Sequence, residues 1–286
     1  MRRRPAVAGM FYAADEKSLR REIEEAFLGR LGPGSLPAPT PVRLGRMLGL
    51  VSPHAGYMYS GYAAAAAFGE LAKDGLPDVA VIIGPNHRAI GAPAAIMEKG
   101  TWETPMGVTH IDADVAGTLL RSCGYLQVDE RAHVLEHSLE VQVPFLQYLA
   151  GDKTTIVPVA IGAPASAEAK VFCRDLGAAI ASALEGRQAV VIASTDMTHY
   201  ESKSRAQAKD ALAIKAIEAL DSDALIDVVN REAITMCGVV PTAVAIEACK
   251  TMGATKAELL TYYTSGDVTG DVGQVVGYAA LKIVRE

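Results

Sequence analysis

Val79-Ala80-Val81-Ile82-Ile83-Gly84-Pro85-Asn86-His87 decides the reading of this chain. The run Val79–Ile83 is apolar throughout and mostly β-branched, with no polar alternation. A strand of that kind needs cover on both faces, the condition of a parallel sheet in an α/β protein. Gly84-Pro85 then ends the run and delivers His87 just past the strand, where open α/β sheets bind their ligands. The pattern recurs. Met47–Val51 runs into Ser52-Pro53-His54-Ala55-Gly56, and Ala189–Ala193 runs into Ser194-Thr195-Asp196-Met197-Thr198-His199. Three of the six histidines therefore fall at equivalent strand ends.

The surrounding chain supplies the other layers. Asp15–Leu28 reads as a helix with Asp15 as N-cap and Leu19, Ile23 and Phe27 on one face. Gly32–Pro41, rich in Pro and Gly, cannot continue it and is read as a surface crossing within one domain. Helices are expected at Gly61–Leu71, Ala165–Leu184, Lys203–Leu220 and Pro241–Met252. Further strands are expected at Thr155–Ile161, Glu258–Tyr263 and Val275–Val284. Strand–helix alternation predicts an α/β fold, with residues 1–286 in a single compact domain around a mostly parallel central sheet flanked by helices.

Composition narrows the function. The formal net charge of -6 offers no broad attraction to phosphate backbones, and Arg2, Arg3 and Arg4 form too short a basic cluster to reverse that. Nucleic acid is not an expected partner. Met1–Ala14 has no sustained apolar core of a signal peptide, and no run approaches the ~18 apolar residues of a membrane span. The four cysteines, Cys123, Cys173, Cys237 and Cys249, form no CxxC pair, which suits reduced thiols in a cytoplasmic protein.

Several residues carry candidate chemistry. Prolines stiffen the loops presenting His54 and His87, as suits a metal ligand, although turn histidines bonded to nearby carbonyls have the same sequence. Asp196 and His199 can share a cavity as ligand, acid/base or orienting pair, or Asp196 can close an Asx turn. Cys237 lies in Thr235-Met236-Cys237-Gly238-Val239-Val240-Pro241, near a helix start that would lower its thiol pKa. A thiolate there could be ligand or nucleophile; a buried inert cysteine is the alternative, and the expectation for Cys123, Cys173 and Cys249. Glu136-His137-Ser138-Leu139-Glu140-Val141-Gln142 is dense in polar groups. On a helix, His137, Glu140 and Val141 would share one face, as a charged pair in the cavity or a solvated helix start. His110 and His133 lack such context and are read as structural or surface residues.

These motifs together resemble the Memo family, whose bacterial and archaeal members are called AmmeMemoRadiSam system protein B. The resemblance covers nearly the whole chain. It runs from Pro5-Ala6-Val7-Ala8-Gly9-Met10-Phe11-Tyr12 through Pro53-His54-Ala55-Gly56-Tyr57, Gly84-Pro85-Asn86-His87 and Thr101-Trp102-Glu103-Thr104-Pro105-Met106-Gly107. It continues with Glu136-His137-Ser138-Leu139-Glu140, Ser194–His199, Cys237-Gly238, Ser265-Gly266-Asp267 and Gly277-Tyr278-Ala279-Ala280. It implies a fold similar to the class III extradiol, or LigB-like, dioxygenases. It also implies a mononuclear metal held by His54, His87 and Cys237, with Asp196, His199 and His137 lining the pocket as catalytic groups. Iron(II) is the expected ion, then copper, then zinc. A thiolate in place of a carboxylate would soften the site relative to the usual two-histidine, one-carboxylate iron oxygenase. The expected function is a redox or dioxygenase-like enzyme acting on a small substrate. A peptide- or protein-binding adaptor and a metal-dependent hydrolase or lyase are the other readings. The family name further implies a functional link to an AMMECR-type protein and a radical-SAM enzyme.

Overall fold

The structure, a computed structural model, describes residues 1–286. The N-terminal half contains β1 (Arg2–Arg3), α1 (Glu16–Leu28), β2 (Met47–Ser52), α2 (Tyr57–Asp74), β3 (Val79–Pro85) and β4 (Ala94–Ile96). It continues with β5 (Thr101–Thr104), β6 (Gly107–His110), α3 (Ala113–Ser122), β7 (Gln127–Val128), α4 (Arg131–Val134) and α5 (Val143–Ala150). Then come β8 (Thr155–Ile161), α6 (Ala167–Ala183), β9 (Ala189–Ser194), β10 (His199–Glu201), α7 (Lys203–Glu218) and α8 (Ser222–Arg231). The chain closes with α9 (Val239–Thr251), β11 (Lys256–Thr264), α10 (Ser265–Thr269) and β12 (Val275–Val284).

The main sheet runs β10-β12-β2-β9-β3-β8-β4-β7, with β11 also on β12. Its centre, β2-β9-β3-β8, is parallel. Both margins turn antiparallel, through β12 on β2 and β4 on β8. Alternate residues of the central strands feed two cores. Val79, Val81 and Ile83 join one beneath α3, α6, α7, α8 and α9, while Ala80 and Ile82 join the other beneath α1, α2 and α5. The unbroken apolar runs of the sequence thus correspond to two-sided burial. No helix is long and apolar enough to cross a membrane.

Local signals explain most boundaries. The Asp15 carboxylate accepts from the Ser18 N–H at 2.9 Å and caps α1, whose Leu19, Ile23 and Phe27 are buried. The Gly32–Pro41 stretch crosses the surface and is tied down where the Thr40 N–H donates to the Ala72 carbonyl. Helices α3 and α8 were not anticipated. Each has an aspartate N-cap, Asp112 and Asp221, which was the readable signal. The short strands β4 to β7 and β10 carry too few residues to show a period.

Arg3 departs furthest from its sequence reading. It is buried, not part of a basic surface cluster. Its guanidinium lies 2.7 Å from the Glu140 carboxylate, donates to the carbonyls of His133 and Glu136 at 2.7 Å, and covers the Trp102 ring at 4.1 Å. Glu140 also accepts from the N–H groups of Ala6 and Val7 and from the Tyr12 hydroxyl. Truncating one member of such a pair strands the other charge in the interior. Arg3→Ala is expected to lose about 3–5 kcal/mol of stability in urea unfolding. Arg2→Ala, removing an exposed partner of Glu103, should lose only about 0–1 kcal/mol.

Candidate metal centre

The parallel register sets the site. Ser52 pairs with Ser194, and Ile83 with Ala193, so β2, β9 and β3 end at one level. The Thr195 N–H continues the ladder by donating to the Ser52 carbonyl at 3.0 Å. His54, His87, Asp196 and His199 therefore enter one cavity of about 500 Å³ at the carboxyl edge of the sheet, with His137 and Cys237 in its wall. The ring centroids of His54 and His87 are 5.1 Å apart, and those of His54 and His137 5.5 Å. His87 and His137 stack at 4.7 Å with 13° between their planes. One ligating nitrogen from each of these three rings lies within 4.8 Å of the others, so the group could hold a metal ion. A slightly larger depression at the opposite strand ends, beside Arg43, Arg187 and Arg285, gathers no such donors.

Hydrogen bonds orient the rings. The Glu136 carboxylate accepts from the His87 N–H at 2.6 Å, from the Ser138 N–H at 2.8 Å, and lies 2.9 Å from His87 Nδ1. A carboxylate only accepts, so neutral His87 carries its proton on Nδ1 and its lone pair on Nε2. His199 Nδ1 lies 2.9 Å from the Thr235 carbonyl, which has the same consequence. His54 Nδ1 meets Ser194 Oγ at 2.9 Å, its backbone N–H donates to Asp196 at 2.8 Å, and its Nε2 lies 3.2 Å from Cys237 Sγ. Glu136 is the residue that sequence reading missed. It is fully buried, and although burial raises its pKa, His87 and the Ser138 N–H bring it down to about 2. Its only sequence signal was a carboxylate one residue from His137 inside an apolar stretch.

The Glu136–Gln142 segment does not form the helix on which His137, Glu140 and Val141 would share a face. His137 precedes a single 3-10 turn at Glu140–Gln142, so His137 and Glu140 do not share a helical face. His137 turns to the cavity, with Phe11 against its ring at 4.7 Å. Glu140 turns away to Arg3 and is buried, which excludes both the charged pair in the cavity and the solvated helix start. His110 is exposed on β6, and His133 is buried against Trp102.

Cys237 stands just before Gly238, the cap of α9. Its sulfur accepts from the Asp196 N–H at 3.3 Å, and the Gly238 N–H donates to Thr195 Oγ1 at 2.9 Å. A Cβ at Gly238 would come within 2.4 Å of the Thr195 Cβ, so only glycine allows this loop to lie against the end of β9. The helix start does not lower the thiol pKa as expected. Burial, with the Asp196 charge second, pushes it well above the ordinary cysteine range. A thiolate at this point needs a neighbouring cation. Burial likewise raises the Asp196 carboxyl above its usual range. Cys123, Cys173 and Cys249 are buried free thiols, as expected.

Burial lowers the pKa of three imidazoles. It pushes His54 well below the usual range, and both His137 and His133 down to about 4. The unfolded chain, with imidazoles near ~6.5, then binds more protons than the folded one between about pH 6.5 and 4, so stability rises with pH across that window. Chelator-treated protein is expected to lose melting temperature steadily as the pH falls from about 6.5 to 4. His137→Gln should flatten part of that slope; an unchanged slope would remove His137 from the effect.

Comparison with known proteins identifies the family. Residues 3–282 match the family described as Memo-like protein. A MEMO1 family protein of Methanopyrus kandleri is 49% identical over 289 residues, covering 100% of each chain. Another, of Methanothermobacter thermautotrophicus, is 48% identical and covers 98% of this chain and 100% of its own. Among solved structures, the uncharacterized protein JW3007 from Escherichia coli K12 superposes with a TM-score of 0.57 at 15% identity, over 83% of this chain and 100% of that one. That last likeness speaks to fold alone. With its three-histidine cavity and a match running almost end to end, the chain belongs to the Memo family.

Proposed function

We propose that this chain is a mononuclear metalloenzyme of redox, dioxygenase-like type, acting on a small molecule in the cavity at the carboxyl edge of the sheet. The observation that carries this reading is the meeting of donor groups at one point of the cavity, where His54 and His87 converge with His137 within 4.8 Å and Cys237 Sγ lies 3.2 Å from His54 Nε2. Imidazole and thiol donors suit iron, copper or zinc, and we assign iron(II) ahead of copper and zinc. In this reading His54, His87 and Cys237 hold the ion. Bound there, it would supply Lewis-acid and one-electron chemistry to a substrate beside it.

The remaining groups handle protons and position. His137, pushed down to about 4 chiefly by burial, is neutral at pH 7 and can accept a proton from a substrate hydroxyl. His199, with Nδ1 committed to the Thr235 carbonyl, presents Nε2 to the cavity as a second acid/base group. Asp196 fixes the His54 backbone through its N–H and reaches within 3.9 Å of His54 Nε2. Phe11 and Val276 supply apolar wall. Four unpaired thiols suit a reducing cytoplasm.

Metal analysis of protein purified without oxygen or chelators tests the assignment. His54→Ala and His87→Ala should each lose most of the iron, His110→Ala should lose none, and His137→Ala should keep the iron while losing oxygen consumption. Full occupancy in both of the first two variants would sink the site. Zinc as the native ion, with no oxygen uptake, would favour the hydrolase reading. Cys237 gives a separate check. Iodoacetamide should label it only after chelation, while Cys123, Cys173 and Cys249 change little; equal labelling in both states would move the third ligand to Asp196 or His137.

A further inference from the structure

We infer that Ser194 is a positioning residue: its hydroxyl holds His54 in the Nδ1–H tautomer and so aims the Nε2 lone pair into the cavity. The argument is a count of protons around Ser194 Oγ. Ser194, Ser138 and Gln142 are fully buried, and His54 is nearly so, so the contacts of this hydroxyl are made within the protein. Ser194 Oγ lies 2.6 Å from the Ser138 carbonyl, 2.9 Å from Gln142 Nε2 and 2.9 Å from His54 Nδ1.

Each partner has a restricted role. The Ser138 carbonyl can only accept, so at 2.6 Å it takes the single hydroxyl proton of Ser194. The Gln142 amide is also fixed. Its Nε2 lies 2.9 Å from the Pro53 carbonyl as well as from Ser194, and an oxygen in that place would face an acceptor. Gln142 therefore donates to both. Ser194 has then spent its proton on Ser138 and filled one lone pair from Gln142, so its contact with His54 is completed only by a proton on Nδ1. The His54 lone pair is left on Nε2, 3.2 Å from Cys237 Sγ and 3.9 Å from Asp196 Oδ2. Gln142 and Ser138 belong to the same stretch as Glu136, which sets His87. One short segment thus orients two rings that hang from other strands.

The consequence for metal binding rests on the function proposed above; the tautomer does not. Long-range proton–nitrogen NMR of the chelator-treated full chain labelled with [15N]histidine reads it directly, with His54 assigned by its absence from His54→Gln. His54 is expected to show a protonated Nδ1 and an unprotonated Nε2. In Ser194→Ala the ring loses its acceptor and should populate the Nε2–H form, and Co²⁺, used as the probe ion, should bind about 10- to 100-fold more weakly. An Nε2–H tautomer in the wild type overturns the inference without any variant. So does a Ser194→Ala protein that keeps both the wild-type tautomer and, within about twofold, its Co²⁺ affinity. A wild type with the expected tautomer and no Co²⁺ binding would leave the tautomer intact and fail the metal reading instead.

Discussion

Parallel strands buried on both faces have no freedom of register, because a one-residue slip would exchange every side chain between two cores. β2, β9 and β3 are held in this way at the centre of the sheet. Their common end level turns three separate loops into one wall of donors. The short distance between His54 and His87 is therefore set by strand pairing far more than by contacts between the side chains themselves, while Cys237 is brought to His54 from the start of α9. The antiparallel margins, where β12 and β4 join, lie outside this core and contribute mainly cover and, at β10, the perch of His199.

A second layer of control comes from the Glu136–Gln142 segment. It pins the ends of all three strands: the Ser138 hydroxyl donates to the Pro85 carbonyl, the Ser138 carbonyl accepts from Ser194, and Gln142 donates to Pro53. It is itself held from behind by Arg3 and by Glu140, which collects the amides of the N-terminal arm. The side of the segment facing the cavity carries imidazole and carboxylate, and the far side carries the ion pair. The site and the packing of the first residues of the chain are consequently joined through a few backbone carbonyls.

Reading the sequence recovered what is local. A Val/Ile run followed by Pro and His reports its own strand and its own loop, so His54, His87, Asp196 and His199 could be placed at one edge without a structure. Helix α1 announced itself through Asp15 and its apolar spacing. Residues whose role exists only after folding stayed hidden. Arg3 looked like a surface charge because nothing near it in sequence names Glu140, which lies far along the chain. Glu136 and Gln142 looked like helix polarity because periodicity cannot show that the backbone breaks at His137. Cys237 was placed correctly in the cavity wall but misjudged in its acidity, since the helix start was legible and the burial around the sulfur was not.

The close approach at Gly238 separates two things that usually change together. Cys237 could be exchanged for another donor by a single substitution without touching the backbone that carries it. Any side chain at Gly238, meeting Thr195 at 2.4 Å, would lift that backbone off β9 and move whatever donor it bears. Gly84 stands similarly, with Ser138 Oγ 2.8 Å from where its Cβ would be. The spacing of the donors and their chemical identity are thus inherited through different residues. A lineage built on this scaffold can revise the chemistry of the side chain at position 237 while the frame that measures the distances stays fixed.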